Sequence, residues 1–383
     1  MGKEKQGTEQ LADNVHDQGK SIEHKNPLLR ETDKTNQFIT IGEIMLRLTP
    51  PNYEKIRMAT SFEASYGGSE ANIALALANL GIDSTFFTVI PNNSLGKSAI
   101  RMLRSNDVHC TPVILSTPEQ TPTHRMGSYY LETGFGIRAS KVIYDRKHSA
   151  ISEFDFDTVD LESLLDGYTW LHLSGITPAL SKGCQKLVLS SLKIARKKGI
   201  TVSFDGNFRS TLWTWEEARD FCTQCLPYVN VLMGIEPYHL WKDEDDHSKG
   251  DIKDGVPLQP SYEQQDEIFQ AFIDRYPNLT CIARHVRYAH SGSENSLKAF
   301  MWYEGHTFES KLFTFNILDR VGGGDAFASG LIYAIMNRYR PMDIVNFAVA
   351  SSAIKHTIRG DANITDDAAA IRNLMNMNYD IKR

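Results

Sequence analysis

Leu318-Asp319-Arg320-Val321-Gly322-Gly323-Gly324-Asp325-Ala326-Phe327 is the stretch from which the rest of this chain can be read. Upstream of it, Phe313, Phe315 and Ile317 alternate with Thr314 and Asn316, the pattern of a half-buried strand. Downstream, Phe327, Leu331, Ala334 and Ile335 fall at helical spacing, so a helix is predicted to begin near Asp325. Three glycines between a strand and a helix let the backbone pass close to a bound group. They also leave N–H donors pointing outward at the positive end of the helix dipole. Such a turn is an anion site, and phosphate is the expected anion. A carboxylate beside it repels the anion, so Asp325 makes sense as the acceptor of a proton from a hydroxyl attacking a phosphoryl group. A helix cap on a tight turn would use the same residues, and spacing alone does not separate the two readings.

Length and composition frame that motif. A chain of 383 residues suits one large α/β domain with an insertion, or two domains, and its apolar fraction supports a sizeable core. A formal charge of −6 and the absence of a Lys/Arg run argue against a nucleic-acid partner. No apolar stretch approaches a membrane span, and the polar N-terminus carries no signal-peptide core, so no membrane association and a cytoplasmic location are expected. Cys222 and Cys225 form a C-x-x-C inside a predicted helix with no second pair for zinc, and read as half-buried thiols in a reducing compartment.

Residues 1–36 are rich in charged and amide side chains and are expected to form a disordered or loosely attached arm, leaving 37–383 as the folded domain. Phe38–Glu43 reads as a strand, Ile73–Leu80 as a helix stopped by Gly81, and Ser84–Ile90 as a second strand. Together they make a βαβ unit of a parallel sheet. Helix Ser94–Asp107 and strand Cys110–Leu115 continue the alternation. About residues 45–66 and 121–149 break it: Pro50-Pro51 and paired short strands around Gly134 and Gly136 predict a small inserted sheet. Strands Thr169–Leu173, Ile200–Phe204, Asn230–Met233, Leu279–Ala283 and Leu297–Tyr303 follow, with helices at Trp215–Leu226 and Glu263–Tyr276 and a charged loop at Lys242–Pro260. Asp343–Ile358 is apolar almost all round, as a helix buried on several faces requires.

In open α/β sheets ligands gather at the carboxyl ends of the strands. The polar residues just past the predicted strands are Glu43, Asp205-Gly206-Asn207-Phe208-Arg209, Glu236, Arg284 and the Gly322–Asp325 turn, with Gly67, Gly68 and Asn72 at a helix start on the same edge. Singly, each has an ordinary structural use; together on one edge they are better explained as a site.

These residues carry a resemblance. Gly67-Gly68-x-x-x-Asn72, Asp205-x-Asn207-x-Arg209 and Asp319-x-x-Gly322-x-Gly324-Asp325, in this order over roughly residues 37 to 375, resemble the ribokinase-like (PfkB) sugar kinases. Within that family the runs Leu171–Leu180 and Val202–Trp213 look like the 2-keto-3-deoxygluconate kinases. The resemblance implies a ribokinase-like three-layer α/β/α sandwich with a mostly parallel central sheet and a small β-sheet lid. It implies transfer of the γ-phosphoryl group of ATP, with Mg2+, to the 6-hydroxyl of a keto-deoxy sugar acid. Asp325 matches the catalytic base, and Gly322, Gly323 and Gly324 the anion hole, with Gly322 and Gly324 also at the nucleotide. Arg209 matches the arginine near substrate and phosphate. Gly67, Gly68, Asn72, Asn207, Tyr129, Tyr144, Arg146 and Asp361 match substrate contacts, and the lid implies a homo-oligomer, a dimer through that sheet. Arginine suits the carboxylate of such a substrate because it offers two parallel hydrogen bonds.

The chain departs from the family pattern in three places. Arg320 and Gly323 stand where Thr and Ala are usual; Gly323 keeps its backbone donor, and Arg320 adds a cation near the phosphates. Met233-Gly234-Ile235-Glu236 replaces an Asn-x-x-Glu segment, so Glu236 is the expected metal residue, acting through water. Arg284 stands for a lysine of the nucleotide wall. A kinase of another sugar or sugar acid, fructokinase-like, and a non-catalytic sugar-binding relative stay open at this point.

Overall fold

The computed structural model describes residues 37–236, 238, 252–253, 256–257, 259–364 and 367–377. The N-terminal arm at 1–36 and most of the charged loop at 242–260 lie outside the described residues.

The chain opens with strands β1 (Gln37–Ile41), β2 (Met45–Thr49) and β3 (Glu63–Gly67), then helix α1 (Ser69–Asn79). Next come β4 (Asp83–Phe87), β5 (Val89–Pro91), α2 (Ser94–Arg104), β6 (Ile114–Ser116), β7 (Ser128–Glu132) and β8 (Lys141–Asp145). Two single turns, α3 (Ala150–Glu153) and α4 (Leu161–Leu164), precede β9 (Trp170–Ser174), α5 (Lys182–Lys198), β10 (Thr201–Asp205), α6 (Trp215–Cys225) and β11 (Val231–Met233). A two-stranded ribbon, β12 (Ile252–Lys253) and β13 (Val256–Pro257), leads to α7 (Tyr262–Arg275) and strands β14 (Cys281–Ala289), β15 (Glu294–Tyr303), β16 (His306–Glu309) and β17 (Phe313–Asn316). Helices α8 (Gly323–Met336), α9 (Pro341–Lys355) and α10 (Ala368–Met375) close the order.

The main sheet runs β16-β15-β14-β11-β10-β9-β1-β4, with β17 also paired to β15. Strands β4, β1, β9, β10, β11 and β14 are parallel, and β15, β16 and β17 are antiparallel additions at one end. The parallel strands are continuous apolar runs because both faces are covered. Successive side chains sort between two cores. Ile39, Ile41, Leu171, Leu173, Val202, Phe204, Leu232 and Ile282 pack on one face with residues of α5, α6 and α7. Phe38, Trp170, Val231, Met233, Cys281 and Ala283 pack on the other with α1, α8 and α9. That alternation makes the three layers. The chain leaves β1 toward β4 on one side and resumes at β9 on the other, so a topological switch point lies at the carboxyl ends of β1 and β9.

A second, four-stranded sheet is ordered β3-β2-β7-β8. Its strands come from the two stretches that broke the α/β rhythm in the sequence. Cross-strand register places Ser65, Arg47, Tyr129 and Tyr144 in one row. Because side chains alternate along each strand, this row shares one face of the sheet, and Arg47 and Tyr129 on it reach the main body. Strand β8 is exposed along its whole length.

Three readings change in the structure. The single strand expected at Ser84–Ile90 is broken at Thr88, and its halves pair separately, β4 with β1 and β5 with β6. The strand expected at Leu279–Ala283 runs on to Ala289 and pairs antiparallel with β15. Cys222 and Cys225 are fully buried rather than half-buried, and the five cysteines are all free thiols.

Leu331 of α8 is fully buried between the sheet and α9. Leu331→Ala is expected to lower the unfolding free energy by about 2–5 kcal/mol, measured by urea denaturation at unchanged m-value. A loss near zero would mean that this face of the sheet is not close-packed.

Candidate active site

The glycine turn is built by sterics that no other residue type satisfies. Gly322 caps α8 in the left-handed region at φ +79, and a Cβ there would run into the carbonyl of Asp361. A Cβ on Gly323 would strike the His356 ring, whereas one on Gly324 would meet only the His285 ring, at 3.9 Å. The first N–H groups of α8 have no intrahelical acceptor, so the turn presents donors at the helix's positive end. Asp319 braces the turn from behind: its carboxylate accepts from the N–H groups of Val321 and Gly360, each at 3.1 Å.

Asp325 is the point on which three distant segments converge. Its Oδ1 accepts from the Ser69 hydroxyl at 2.6 Å and its Oδ2 from the Asn72 amide at 2.7 Å, both at the start of α1. Ser69 Oγ in turn accepts from the Asn207 amide at 2.9 Å, beyond the end of β10. Desolvation raises the Asp325 pKa, opposed by the hydrogen bonds from Ser69 and Asn72 and by the charge of Arg209. Asp205, below Asn207, is pushed from 3.8 to about 7, first by burial and then by the Asp325 charge. Arg209 is exposed, and its charge lowers the pKa of both carboxyls. Gly67 and Gly68 form the floor, closed on Asp361 and on the Glu43 carbonyl so tightly that a side chain at either position would collide.

Other expected contacts are engaged within the protein. Tyr129 is buried and its hydroxyl donates to Asp361. Arg47 reaches from β2 to ion-pair with both Asp319 and Asp361. Arg146 binds the Glu43 carboxylate, with Nε donating at 2.8 Å, while its guanidinium lies 5.6 Å from the Tyr144 ring centre. Tyr144 is the open member, tilted on Tyr129 at 5.8 Å. On the nucleotide side, Arg284 is buried and donates to Gln265 at 3.1 Å and to Glu236 at 3.4 Å, so the two residues expected at nucleotide and metal hold each other. Nearer the turn, Arg287 and Arg320 lie close enough for the second to lower the pKa of the first, after burial. Arg320 Nε is buried without a hydrogen-bond partner. Among the described residues no group of three His, Cys, Asp or Glu side chains is disposed to hold a metal ion.

Sequence reading brought Asp325, Asn72, Asn207, Asp205 and the glycines to one edge, where the structure assembles them. It missed Arg47 and Ser69. Arg47 had a faint signal, as the one cation in the apolar strand Met45-Leu46-Arg47-Leu48.

The site can hold an anion on backbone donors beside a carboxyl group whose pKa burial raises. The family described as pfkB family carbohydrate kinase matches residues 35–237. A 2-dehydro-3-deoxygluconokinase from Thermotoga maritima superposes with a TM-score of 0.80 at 36% identity, over 89% of this chain and 99% of that one. A PfkB family carbohydrate kinase from Listeria grayi gives 0.78 at 33% identity, over 89% and 100%. In sequence, a 2-dehydro-3-deoxygalactonokinase from Haloferax volcanii is 29% identical over 87% of this chain and 95% of its own.

The raised Asp205 pKa has a definite sign in stability. A folded pKa of about 7 against 3.8 means that the native state holds this proton more tightly. The resulting stabilisation is full below the unfolded value and is lost as pH rises through the folded one. Asp205→Asn keeps the acceptor for the Asn207 N–H and removes the charge. Its melting temperature should therefore gain on wild type from about pH 4 to about pH 7 and level off above. Parallel melting curves across that range would remove Asp205 from the titration.

Proposed function

The chain belongs to the PfkB family of carbohydrate kinases, and from that membership we propose that it transfers the γ-phosphoryl group of ATP to the 6-hydroxyl of 2-keto-3-deoxygluconate, the compound also called 2-dehydro-3-deoxygluconate. The observation that carries the reading is Asp325: a carboxylate of raised basicity, fixed by Ser69 and Asn72, at the head of a helix whose glycine turn offers unpaired backbone donors.

In this reading Asp325 takes the proton of the 6-hydroxyl as that oxygen bonds to the γ-phosphorus. The bond from phosphorus to the β-bridging oxygen breaks, and ADP leaves with the electron pair. The amides at Gly322, Gly323 and Gly324 receive the charge on the transferred group. The hydrogen bonds from Ser69 and Asn72 leave Asp325 one orientation toward the acceptor, which reduces the entropy lost on reaching the transition state. Gly67, Gly68, Asn72 and Asn207 hold the sugar, and Arg209 meets the substrate carboxylate or the moving phosphate from the mouth. Tyr144 supplies cover and a hydroxyl. Tyr129, Arg146 and Asp361 reach the substrate from positions already fixed by Asp361, Glu43 and Arg47 respectively.

Magnesium, when bound, would neutralise charge on the nucleotide phosphates. The donor set fits an ion carried mainly by those phosphates, because Asp205 and Glu236 both lie 3.9 Å from where a Cβ on Gly234 would stand. Both would hold it through water. Arg320 and Arg287, rather than Arg284 alone, give the nucleotide a cationic wall.

The small sheet is assigned as a lid over the sugar, excluding the water that would compete for the phosphoryl group. Val142 and Ile143 on its exposed edge strand suit pairing with a second copy of the chain. Among the described residues no helix is long and apolar enough to cross a membrane. Use of ATP and five unpaired thiols suit the cytoplasm. A specific observation favours one second reading, the C4 epimer 2-keto-3-deoxygalactonate: the Haloferax relative carries that name.

Two measurements test the proposal. ADP release with ATP and magnesium, run against 2-keto-3-deoxygluconate, 2-keto-3-deoxygalactonate, gluconate, fructose and ribose, should show turnover confined to a keto-deoxy acid. Activity on fructose or ribose alone would overturn the acid assignment. Asp325→Asn should lower kcat by about 10²–10⁴-fold with sugar binding by calorimetry nearly unchanged; near-normal turnover would remove the base from the mechanism.

A further inference from the structure

Lys355, the last residue of α9, is one of the largest completely buried side chains of the protein. Its Nζ donates to the carbonyl of Ile358 at 3.2 Å and to the carbonyl of Asp319 at 3.4 Å. No carboxylate oxygen lies within ion-pair distance among the described residues, because Arg47 takes both nearby candidates, Asp319 and Asp361. A buried ammonium held only by carbonyl dipoles is costly, by several kcal/mol in general. A lysine that merely capped a helix C-terminus would keep its head group in water and bind carbonyls of its own helix. This one is fully enclosed and binds across to a different segment.

The segments it joins are those that shape the glycine turn. The carbonyl of His356 accepts from the N–H groups of Leu318 at 2.8 Å and Asp319 at 3.1 Å. The Ser352 hydroxyl donates to the carbonyl of Gly323 at 2.8 Å, and Gly322 abuts the carbonyl of Asp361. The Lys355 ammonium therefore sits where the approach to the turn and the chain leaving α9 must stay in register. Burial lowers its pKa and the Arg47 charge adds to that, while Asp319, Asp361 and Asp325 each favour the charged form.

We propose that Lys355 is a built-in monovalent cation of this site: a positioning residue whose ammonium clamps the Asp319 and Ile358 carbonyls, holds Gly322–Gly324 and Asp361 in register, and frees turnover from any need for a dissolved monovalent cation. The inference rests on the phosphoryl-transfer reading above for its kinetic part, and on the carbonyl geometry alone for its structural part.

The test uses the full chain in a buffer whose sole monovalent cation is tetramethylammonium, to which potassium, sodium or ammonium is added at constant ionic strength. Wild-type kcat should not respond. Lys355→Ala, which leaves a cavity the size of a small amine, should lose about 10²-fold in kcat with little change in KM for the sugar. Ammonium or methylammonium should restore at least part of that loss. Lys355→Met, of similar length without the charge, should lose as much and not be rescued. A melting-temperature arm separates this idea from the sugar-kinase reading: ammonium should raise the Lys355→Ala midpoint over tetramethylammonium and leave wild type unmoved, whatever the substrate proves to be. Activation of wild type by potassium or sodium overturns the proposal. So does a folded Lys355→Met or Lys355→Ala with wild-type kcat, or a Lys355→Ala midpoint indifferent to ammonium.

Discussion

The site depends on one buried guanidinium. Arg47 lies on the central pair of the small sheet and ion-pairs with Asp319, which leads into the glycine turn, and Asp361, which follows α9. Tyr129, opposite Arg47 on the neighbouring strand, adds its hydroxyl to Asp361. Such a cluster is weak evidence for stability, since removing the charges from water costs about as much as their attraction returns. What it does supply is geometry. An arginine fork bound to two carboxylates has few acceptable orientations, so the small sheet, the approach to the turn and the carbonyl against which Gly322 packs share one reference point. Arg47 is for that reason more constrained than the exposed Arg209 and Tyr144.

Burial is the first reason why the carboxylate over the turn has a raised pKa. Asp205 and Glu70 each feel the Asp325 charge, and all three carboxyls have their pKa raised first by burial. The cations that would quench them stand apart. Arg47 is committed to the other acid pair, Lys355 is enclosed behind the turn, and Arg209 reaches the group only from the exposed rim. The raised pKa of Asp325 thus comes first from burial, with the Asp361 charge adding to it and Ser69, Asn72 and Arg209 opposing, while the backbone amides beside it take up anion charge without adding a side-chain cation.

Much of this was legible in the sequence, and the failures share a cause. Short apolar strands alternating with helical patterns gave the layer order, because burial on both faces of a parallel sheet leaves a direct mark on each strand. Gly322, Gly323 and Asp325 were readable because the constraint acts on the residue itself. Side-chain partners were not. Nothing along the chain distinguishes an arginine that greets a ligand from one already bound, yet Arg146 is held by Glu43 and Arg284 by Glu236 and Gln265. The break at Thr88 was equally silent, since Ser84–Ile90 is apolar enough to be one strand and only the competing pairing of β6 with β5 divides it.

The division of labour between the two sheets follows from how each is held. The large sheet is gripped on both faces by extended apolar cores, which resist deformation because close-packed interiors have few alternative arrangements. The small sheet has a smaller apolar grip, the cluster of Met45, Tyr129 and Leu131 against Val321 with Leu46 and Tyr66 packed toward α1 and α2, and beside it the polar set around Arg47 and the Glu43–Arg146 pair. Polar contacts of that kind can be exchanged for contacts to a ligand at small net cost, whereas apolar burial cannot. A sugar acid entering under the sheet would compete for Arg146 with Glu43, and its hydroxyls for Asp361 with Tyr129. On the proposed reading, recognition would be written in bonds that the free protein already makes to itself, and a substrate would be selected by how well it replaces them, while the glycine turn and Asp325 belong to the layer beneath.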